Sequence, residues 1–397
     1  MRIGIYGGTF NPIHLGHMEA AKAAVKRLRL EKLYLIPAGL PPHKALGTDA
    51  PPAGKRLEMT ALAAEELGGE ALDLELKREG KSYTLDTLRE LKKRFPKDHL
   101  FLLMGTDMFL SFQDWREPKK IAKLATLCAF SRETGDGMDE KLAAQKKYLK
   151  KDLDADVELI ALPRVVEISS TQLREDLARG GELAKQYLAP AIYGYILREG
   201  LYGTKADLKH LPLEELRYVA LSMLKSSRVP HVLGTEQTAA ALALRWGGDE
   251  TAARRAALLH DCTKKLEREQ HLALCRQYHV PPDQEELREG KLLHALTGAV
   301  TAREVFGESA EVVDAIRWHT TGKPDMTLLE KIIYLADYIE PTRSFCDLTA
   351  LRALAFEDLD RAMLLGLTMA VTDLKENGMA VHSNSVYARD YLKGKLT

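Results

Sequence analysis

Short apolar runs alternate with longer amphipathic stretches through the first half of the chain. Strand-type runs fall at residues 2–6, 32–37, 72–76, 99–104, 125–131 and 157–162. Helix-type periodicity fills the gaps at 16–29, 52–67, 84–94, 118–123 and 139–151. One further helix begins at Ser169 or Ser170 and ends at Gly180-Gly181, and another covers 190–199, stopped by Gly200. Strands separated by helices predict an α/β fold, a doubly wound parallel sheet with right-handed crossovers. After Gly203 the strand signal fades. Helical periodicity then recurs at 213–226, 231–246, 250–265, 267–279, 291–306, 310–319, 327–339 and 351–377, with breakers such as Gly247-Gly248, Pro281-Pro282 and Pro341 between several of them. The pattern predicts an α/β domain over 1–203, a linker over 204–212 and an all-α bundle over 213–397.

Length agrees with that division, since 397 residues exceed one ordinary core. Apolar residues make up 45% of the chain, enough for both domains to bury a core. Lys+Arg and Asp+Glu are equal at 57 each, so no global positive field draws nucleic acid or an anionic membrane. Phosphate recognition, if present, has to be local. Cys128, Cys262, Cys275 and Cys346 form no CxxC pair, which argues against a disulfide framework or zinc ribbon and fits a reducing compartment. The N-terminus runs directly into a strand without the apolar core of a signal peptide, and no apolar stretch approaches a membrane span. A cytoplasmic protein is expected. Composition is silent on oligomeric state.

The first strand ends in Gly7-Gly8-Thr9-Phe10-Asn11-Pro12-Ile13-His14-Leu15-Gly16-His17, and a helix follows. Two glycines after a strand allow close backbone approach to a bulky anion, and the free amides of a helix start face its phosphates. His14 and His17 stand three apart, so both imidazoles can point the same way and donate to an α-phosphate as charge builds during in-line displacement. Taken alone, HxGH is equally well a capped strand–helix turn; its attachment to GGTFNP after the first strand favours chemistry. The loop is neither G-x-G-x-x-G nor a P-loop. A second segment, Ile168-Ser169-Ser170-Thr171-Gln172-Leu173-Arg174, puts hydroxyl caps and a guanidinium fork at another helix start. By itself it is an ordinary capped helix.

Together, GGTFNPIHLGH and ISSTQLR resemble the HxGH nucleotidyltransferase superfamily, and within it bacterial nicotinate-mononucleotide adenylyltransferase, over residues 1–203. The resemblance implies a Rossmann-like domain that moves AMP from ATP, with Mg²⁺, to nicotinate mononucleotide. It places ATP at Gly7, Gly8, Thr9, Phe10, His14, His17, Ile168, Ser169, Ser170, Thr171 and Arg174, with His14, His17, Lys44 and Arg174 catalytic. It places the acceptor at Lys44, Thr84, Asp86, Gly105, Asp107 and Trp115, the Trp ring stacking on the pyridine. Nicotinamide mononucleotide stays open as acceptor. The family often carries Asp where this chain has Asn11, a tolerated change that leaves both histidines.

The helical half carries His231, the doublet His260-Asp261, His294, His319 and Asp337. A lone helical His is usually packed or capping, and His210, His271, His279 and His382 are read that way. Six imidazole and carboxylate groups on apolar helices need partners, and metal ions supply them. The set suits Fe or Mn rather than structural zinc, and is enough for a dinuclear centre bridged by Asp261 that activates water for attack on phosphorus. The order H…HD…H…H…D resembles the HD-domain phosphohydrolases. The segments HVLGT, LLHDCTK, LLHALTGA, IRWHTTG and YLADYIEPTR are similar to the bacterial symmetrical dinucleoside-tetraphosphate hydrolases. This resemblance implies hydrolysis of diadenosine tetraphosphate to two ADP. Lys264, one turn past the doublet, and Arg343, after Glu340-Pro341, are candidate phosphate contacts. Another nucleotide phosphohydrolase, or a nucleotide-sensing module without turnover, remains open for this half. The partners expected of the whole chain are small nucleotides.

Overall fold

A computed structural model describes residues 1–40, 47, 50–131, 137–162, 166–344 and 346–397. The chain divides into two compact units, Met1–Lys205 and Ala206–Thr397.

The first unit holds six strands among its described residues: β1 (Arg2–Gly8), β2 (Lys32–Pro37), β3 (Glu70–Ala71), β4 (His99–Met104), β5 (Thr126–Ser131) and β6 (Val157–Ala161). They form one parallel sheet in the order β3-β2-β1-β4-β5-β6. Ile5 faces Tyr34 on one side and Leu102 on the other. The central strands are buried on both faces, which is why they read as continuous apolar runs rather than alternating ones. Helices α1 (Leu15–Leu28), α2 (Ala53–Glu66), α3 (Thr84–Arg94), α4 (Thr106–Leu110), α5 (Pro118–Ala122), α6 (Met138–Leu153), α7 (Ser170–Leu177), α8 (Glu182–Tyr187) and α9 (Pro190–Arg198) complete the unit. The strand order steps outward from β1 in one direction and from β4 in the other. At such a reversal the connections leave on opposite sides and open a crevice at the strands' carboxyl ends. The segments after β1 and β4 both start there.

The expected strand at 72–76 is the main departure in this unit. Sheet pairing covers only Glu70 and Ala71, because the Asp73 carbonyl takes the amides of Leu76 and Lys77 and turns the chain away. Helices α4 and α8 are too short for periodicity to reveal.

The second unit is helical throughout its described residues: α10 (Leu213–Ser222), α11 (Val229–Trp246), α12 (Glu250–Leu259), α13 (Arg268–Gln277), α14 (Gln284–Arg288), α15 (Leu293–Glu304), α16 (Ala310–Trp318), α17 (Leu328–Ile339), α18 (Thr349–Glu357), α19 (Leu359–Glu376) and α20 (Ser383–Leu396). Helices α11, α12, α16 and α17 pack on one another around Leu242, Leu258, Ile316 and Ile333. The expected helix over 351–377 is broken. Asp358 is extended and caps α19 by accepting from the Arg361 amide at 3.0 Å. The expected helix over 250–265 stops at Leu259, and His260 and Asp261 occupy the turn beyond it. No helix among the described residues is long and apolar enough to cross a membrane.

Candidate functional site

In the first unit, the chain from Gly8 to His14 turns from β1 into α1. A Cβ on Gly8 would lie 2.8 Å from the Phe10 ring, so only glycine lets that ring fold back. Phe10, itself left-handed at φ 44°, packs edge-on against Tyr6 at 5.7 Å and His17 at 5.4 Å. His14 caps α1, and its backbone amide donates to His17 Nδ1 at 3.3 Å. The two rings lie 3.8 Å apart between centroids. Since His17 Nδ1 accepts, its proton sits on Nε2, which is left as a donor. Burial lowers the pKa of His14 to about 4, and burial together with His14 pushes His17 well below the usual histidine range. Both imidazoles are therefore neutral at pH near 7. His14 Nδ1 is buried without a hydrogen-bond partner.

Three carbonyls of the loop are bound by side chains from elsewhere in the unit. Arg56 Nη1 donates to Thr9 O at 2.9 Å, Arg174 Nη1 to Asn11 O at 2.9 Å, and Ser170 Oγ to Pro12 O at 3.0 Å. Tyr202 Oη donates to Asn11 Oδ1 at 2.8 Å, which gives the amide at this position a defined partner. Ser169 and Gln172 form a reciprocal capping box at the start of α7. Ile168 and Thr171 flank that cap, with Thr171 Oγ1 accepting from Arg174 Nη2 at 3.3 Å. The two segments singled out in the sequence thus meet in one place. Arg56 and Tyr202 were not foreseen; a lone Arg in an amphipathic helix carries no motif.

Lys44 lies outside the described residues. Thr84 opens α3, and Asp86 stands in its first turn, 3.5 Å from Arg89. Gly105 and Asp107 are exposed at the carboxyl end of β4, beside that of β1. Trp115 is half-buried, packing on Phe112 at 5.2 Å and on the core beneath. Arg116, not foreseen, lies 4.5 Å from the Tyr83 ring.

In the second unit the six candidate ligands converge. His231 Nε2 stands 3.3 Å from His260 Nε2 and 3.0 Å from Asp337 Oδ1. His294 Nε2 stands 3.2 Å from His319 Nε2. Asp261 lies between the pairs. Its Oδ2 is 3.5 Å from His260 Nε2 and 3.8 Å from His231 Nε2, while its Oδ1 is 3.2 Å from His294 Nε2 and 3.8 Å from His319 Nε2.

The outer nitrogens explain the inner ones. His260 Nδ1 donates to Ala257 O at 2.6 Å, His294 Nδ1 to Lys291 O at 2.5 Å and His319 Nδ1 to Ile316 O at 2.7 Å. Each ring binds the carbonyl three residues earlier. His231 Nδ1 donates instead to Glu340 Oε1 at 3.0 Å. With every Nδ1 protonated, each Nε2 turns a lone pair inward. Four lone pairs and two carboxylates facing one another in a buried space fit metal cations, and the two groupings around Asp261 fit a pair of them. The triads His231/His260/Asp337 and His260/Asp261/His319 each place one donor atom within 4.8 Å of the others.

Burial opposes ionisation of Asp261, yet its carboxyl is held well below the usual range, with the Lys264 ammonium beside it. Asp337 is held low in the same way, with the Arg343 guanidinium opposing burial. Among the described residues, three side-chain cations border the cluster. Lys264 Nζ is 3.1 Å from Asp261 Oδ1, Arg228 Nε 2.6 Å from Asp261 Oδ2, and Arg343 Nη2 2.7 Å from Asp337 Oδ1. Arg228 and Glu340 escaped the sequence reading, although each lies three residues from a ligand.

The cytidylyltransferase-like family model matches residues 5–176, and the HD domain model matches residues 228–342. A "probable nicotinate-nucleotide adenylyltransferase" of Dictyoglomus thermophilum is 38% identical over 204 residues, covering 51% of this chain and 100% of the relative. One of the same description from Thermus thermophilus is 38% identical over 203 residues, also covering all of the relative. A solved structure from Clostridium acetobutylicum, titled a "predicted HD superfamily hydrolase involved in NAD metabolism", is 38% identical, covers 47% of this chain and 98% of its own, and has a TM-score of 0.45.

Proposed function

Since the chain belongs, through its N-terminal half, to the nicotinate-nucleotide adenylyltransferase family and carries an HD domain behind it, we propose that it is a bifunctional nucleotide enzyme. Residues 1–203 transfer AMP from ATP to nicotinate mononucleotide. A phosphate oxygen of the acceptor attacks the α-phosphorus of ATP in line, the bond to the β-phosphate oxygen breaks, and pyrophosphate leaves. The observation that carries this reading is the loop of residues 8–14, with three carbonyls bound from behind and two neutral imidazoles at its end. His17 Nε2–H and His14 donate to the phosphate oxygens, while Gly7, Gly8, Thr9 and Phe10 line the triphosphate. Ile168, Ser169, Ser170, Thr171 and Arg174 close the other side. Thr84, Asp86, Gly105, Asp107, Trp115 and Lys44 hold the acceptor, and Mg²⁺ screens the leaving group. Purified protein is expected to release pyrophosphate from ATP only when a pyridine mononucleotide is added; no turnover with either the nicotinate or the nicotinamide form refutes the reading.

For residues 213–397 the reading is a phosphohydrolase that splits diadenosine tetraphosphate into two ADP. What supports it is the bridging position of Asp261 between two imidazole pairs, with Arg228, Lys264 and Arg343 at the rim. His231, His260, Asp261, His294, His319 and Asp337 hold the metals, which supply Lewis acidity toward water and phosphate when bound. The rim cations orient a polyphosphate chain. Product chromatography decides: two ADP support symmetrical cleavage, whereas ATP plus AMP, or no cleavage of this substrate, overturns it.

A further inference from the structure

Arg56, on the inner face of α2, is fully buried at 1% exposure. It carries its charge without a carboxylate partner among the described residues. Its hydrogen bonds go to backbone carbonyls, Thr9 O at 2.9 Å and Ala38 O at 2.8 Å, and its buried Nε has no partner. Thr9 follows β1 and Ala38 follows β2, so one guanidinium ties together the carboxyl ends of two neighbouring strands. Burying a cation without a counter-ion costs several kcal/mol in general, and two carbonyl dipoles offset only part of that. A residue needed only for packing would be better apolar here.

The geometry points to Arg56 as a positioning residue of the transferase site, whose charge, set behind the loop of residues 8–14, is completed by the polyphosphate of the bound nucleotide. Two consequences of one side chain support this. By holding the Thr9 carbonyl, Arg56 fixes the Thr9–Phe10 peptide. In a trans peptide the amide then points the opposite way, leaving the Phe10 N–H directed away from Arg56. By lacking an acidic neighbour among the described residues, Arg56 also keeps its field unneutralised there. Burial lowers its pKa. In a low-dielectric setting such a charge acts on a nearby anion more strongly than it would in water.

This inference rests on the reading of the front site as an ATP site. The full chain is assayed for adenylyl transfer, and in reverse for pyrophosphate use, as wild type, Arg56→Gln and Arg56→Lys. In Arg56→Gln the KM values for ATP and for pyrophosphate are expected to rise about tenfold, roughly the factor that 1.4 kcal/mol corresponds to. The KM for the pyridine mononucleotide is expected to move less. Arg56→Lys, which keeps the charge, is expected to return the ATP KM to within about threefold of wild type, the lysine ammonium standing in as a point charge. A merely structural residue would lower the melting temperature and leave these KM values in place; that result overturns the inference, as does a Lys variant as impaired as Gln. If the Gln variant does not fold, the Lys variant decides alone, because a rise in its ATP KM well beyond about threefold contradicts the charge argument. A wild-type chain that transfers no AMP sinks the reading of the site itself and is recognised before any variant is made.

Discussion

His14 and His17 are imidazoles whose surroundings keep them neutral, and that has a cost at low pH. His14 has its folded pKa lowered to about 4, against an ordinary 6.5. The unfolded chain therefore binds a proton that the folded chain does not, over the interval between those values. Stability is expected to be flat with respect to this group above pH near 7 and to fall as pH drops through about 6.5 toward 4. The contribution lost by pH near 5 is about 2 kcal/mol for His14 alone. Urea unfolding at the two pH values checks this: His14→Asn is expected to show a shallower acid loss than wild type. For catalysis, His17→Ala is expected to lower kcat by roughly two to three orders of magnitude, the scale of one lost donor to a developing charge. Steady-state kinetics should show a much smaller change in the KM for ATP.

Helix α11 brings His231 to the cluster of candidate metal ligands and Gly234 against the end of α17. A Cβ on Gly234 would stand 2.5 Å from Glu340 Oε2. That carboxylate already accepts from Thr342 N at 2.6 Å and, through Oε1, from His231 Nδ1. It cannot retreat without releasing the ring it orients. Gly234→Ala is thus expected to disturb His231 through its partner, not by touching a ligand. The purified variant should retain clearly less metal, roughly tenfold weaker binding being the low end of a lost outer partner, when measured by elemental analysis. Full metal content in a folded Gly234→Ala protein would count against this account of Glu340. The i−3 carbonyl contacts of His260, His294 and His319 work at the same scale. At His260 the ring takes the Ala257 carbonyl that a continuing α12 would use, and the helix ends there.

The two units place different demands on metal. The front site offers amides, imidazoles and guanidinium groups, so on the proposed reading its cation would arrive with the nucleotide, as Mg²⁺. The rear site offers four imidazole lone pairs and two carboxylates, a set whose chemistry suits transition metals in their own right. Exhaustive chelation followed by Mg²⁺ alone is therefore expected to restore pyrophosphate release while diadenosine tetraphosphate cleavage stays absent. Addition of Mn²⁺ or Fe²⁺ is expected to restore the second activity. Equal recovery of both with Mg²⁺ alone contradicts the assignment of the helical site.

Much of this molecule is legible one residue at a time. Apolar periodicity marked five of the six strands and most of the long helices, because burial on a fixed face repeats locally. The loop of residues 7–17 and the order of His and Asp in the second half were visible too, since motif chemistry depends on residue type and spacing. What local pattern lacks is the partner from afar. The strand at 72–76 was misplaced because a turn at Asp73, not hydrophobicity, ends the pairing. The break at Asp358 was missed because both flanking segments share helical periodicity. Arg56, Arg228, Tyr202 and Glu340 acquire their roles only once folding sets them against Thr9, Asp261, Asn11 and His231. Sequence alone determined which groups are present and on which elements; tertiary structure decided which nitrogens and oxygens face each other, because hydrogen bonds and charges act over a few ångströms in space, whatever the distance along the chain.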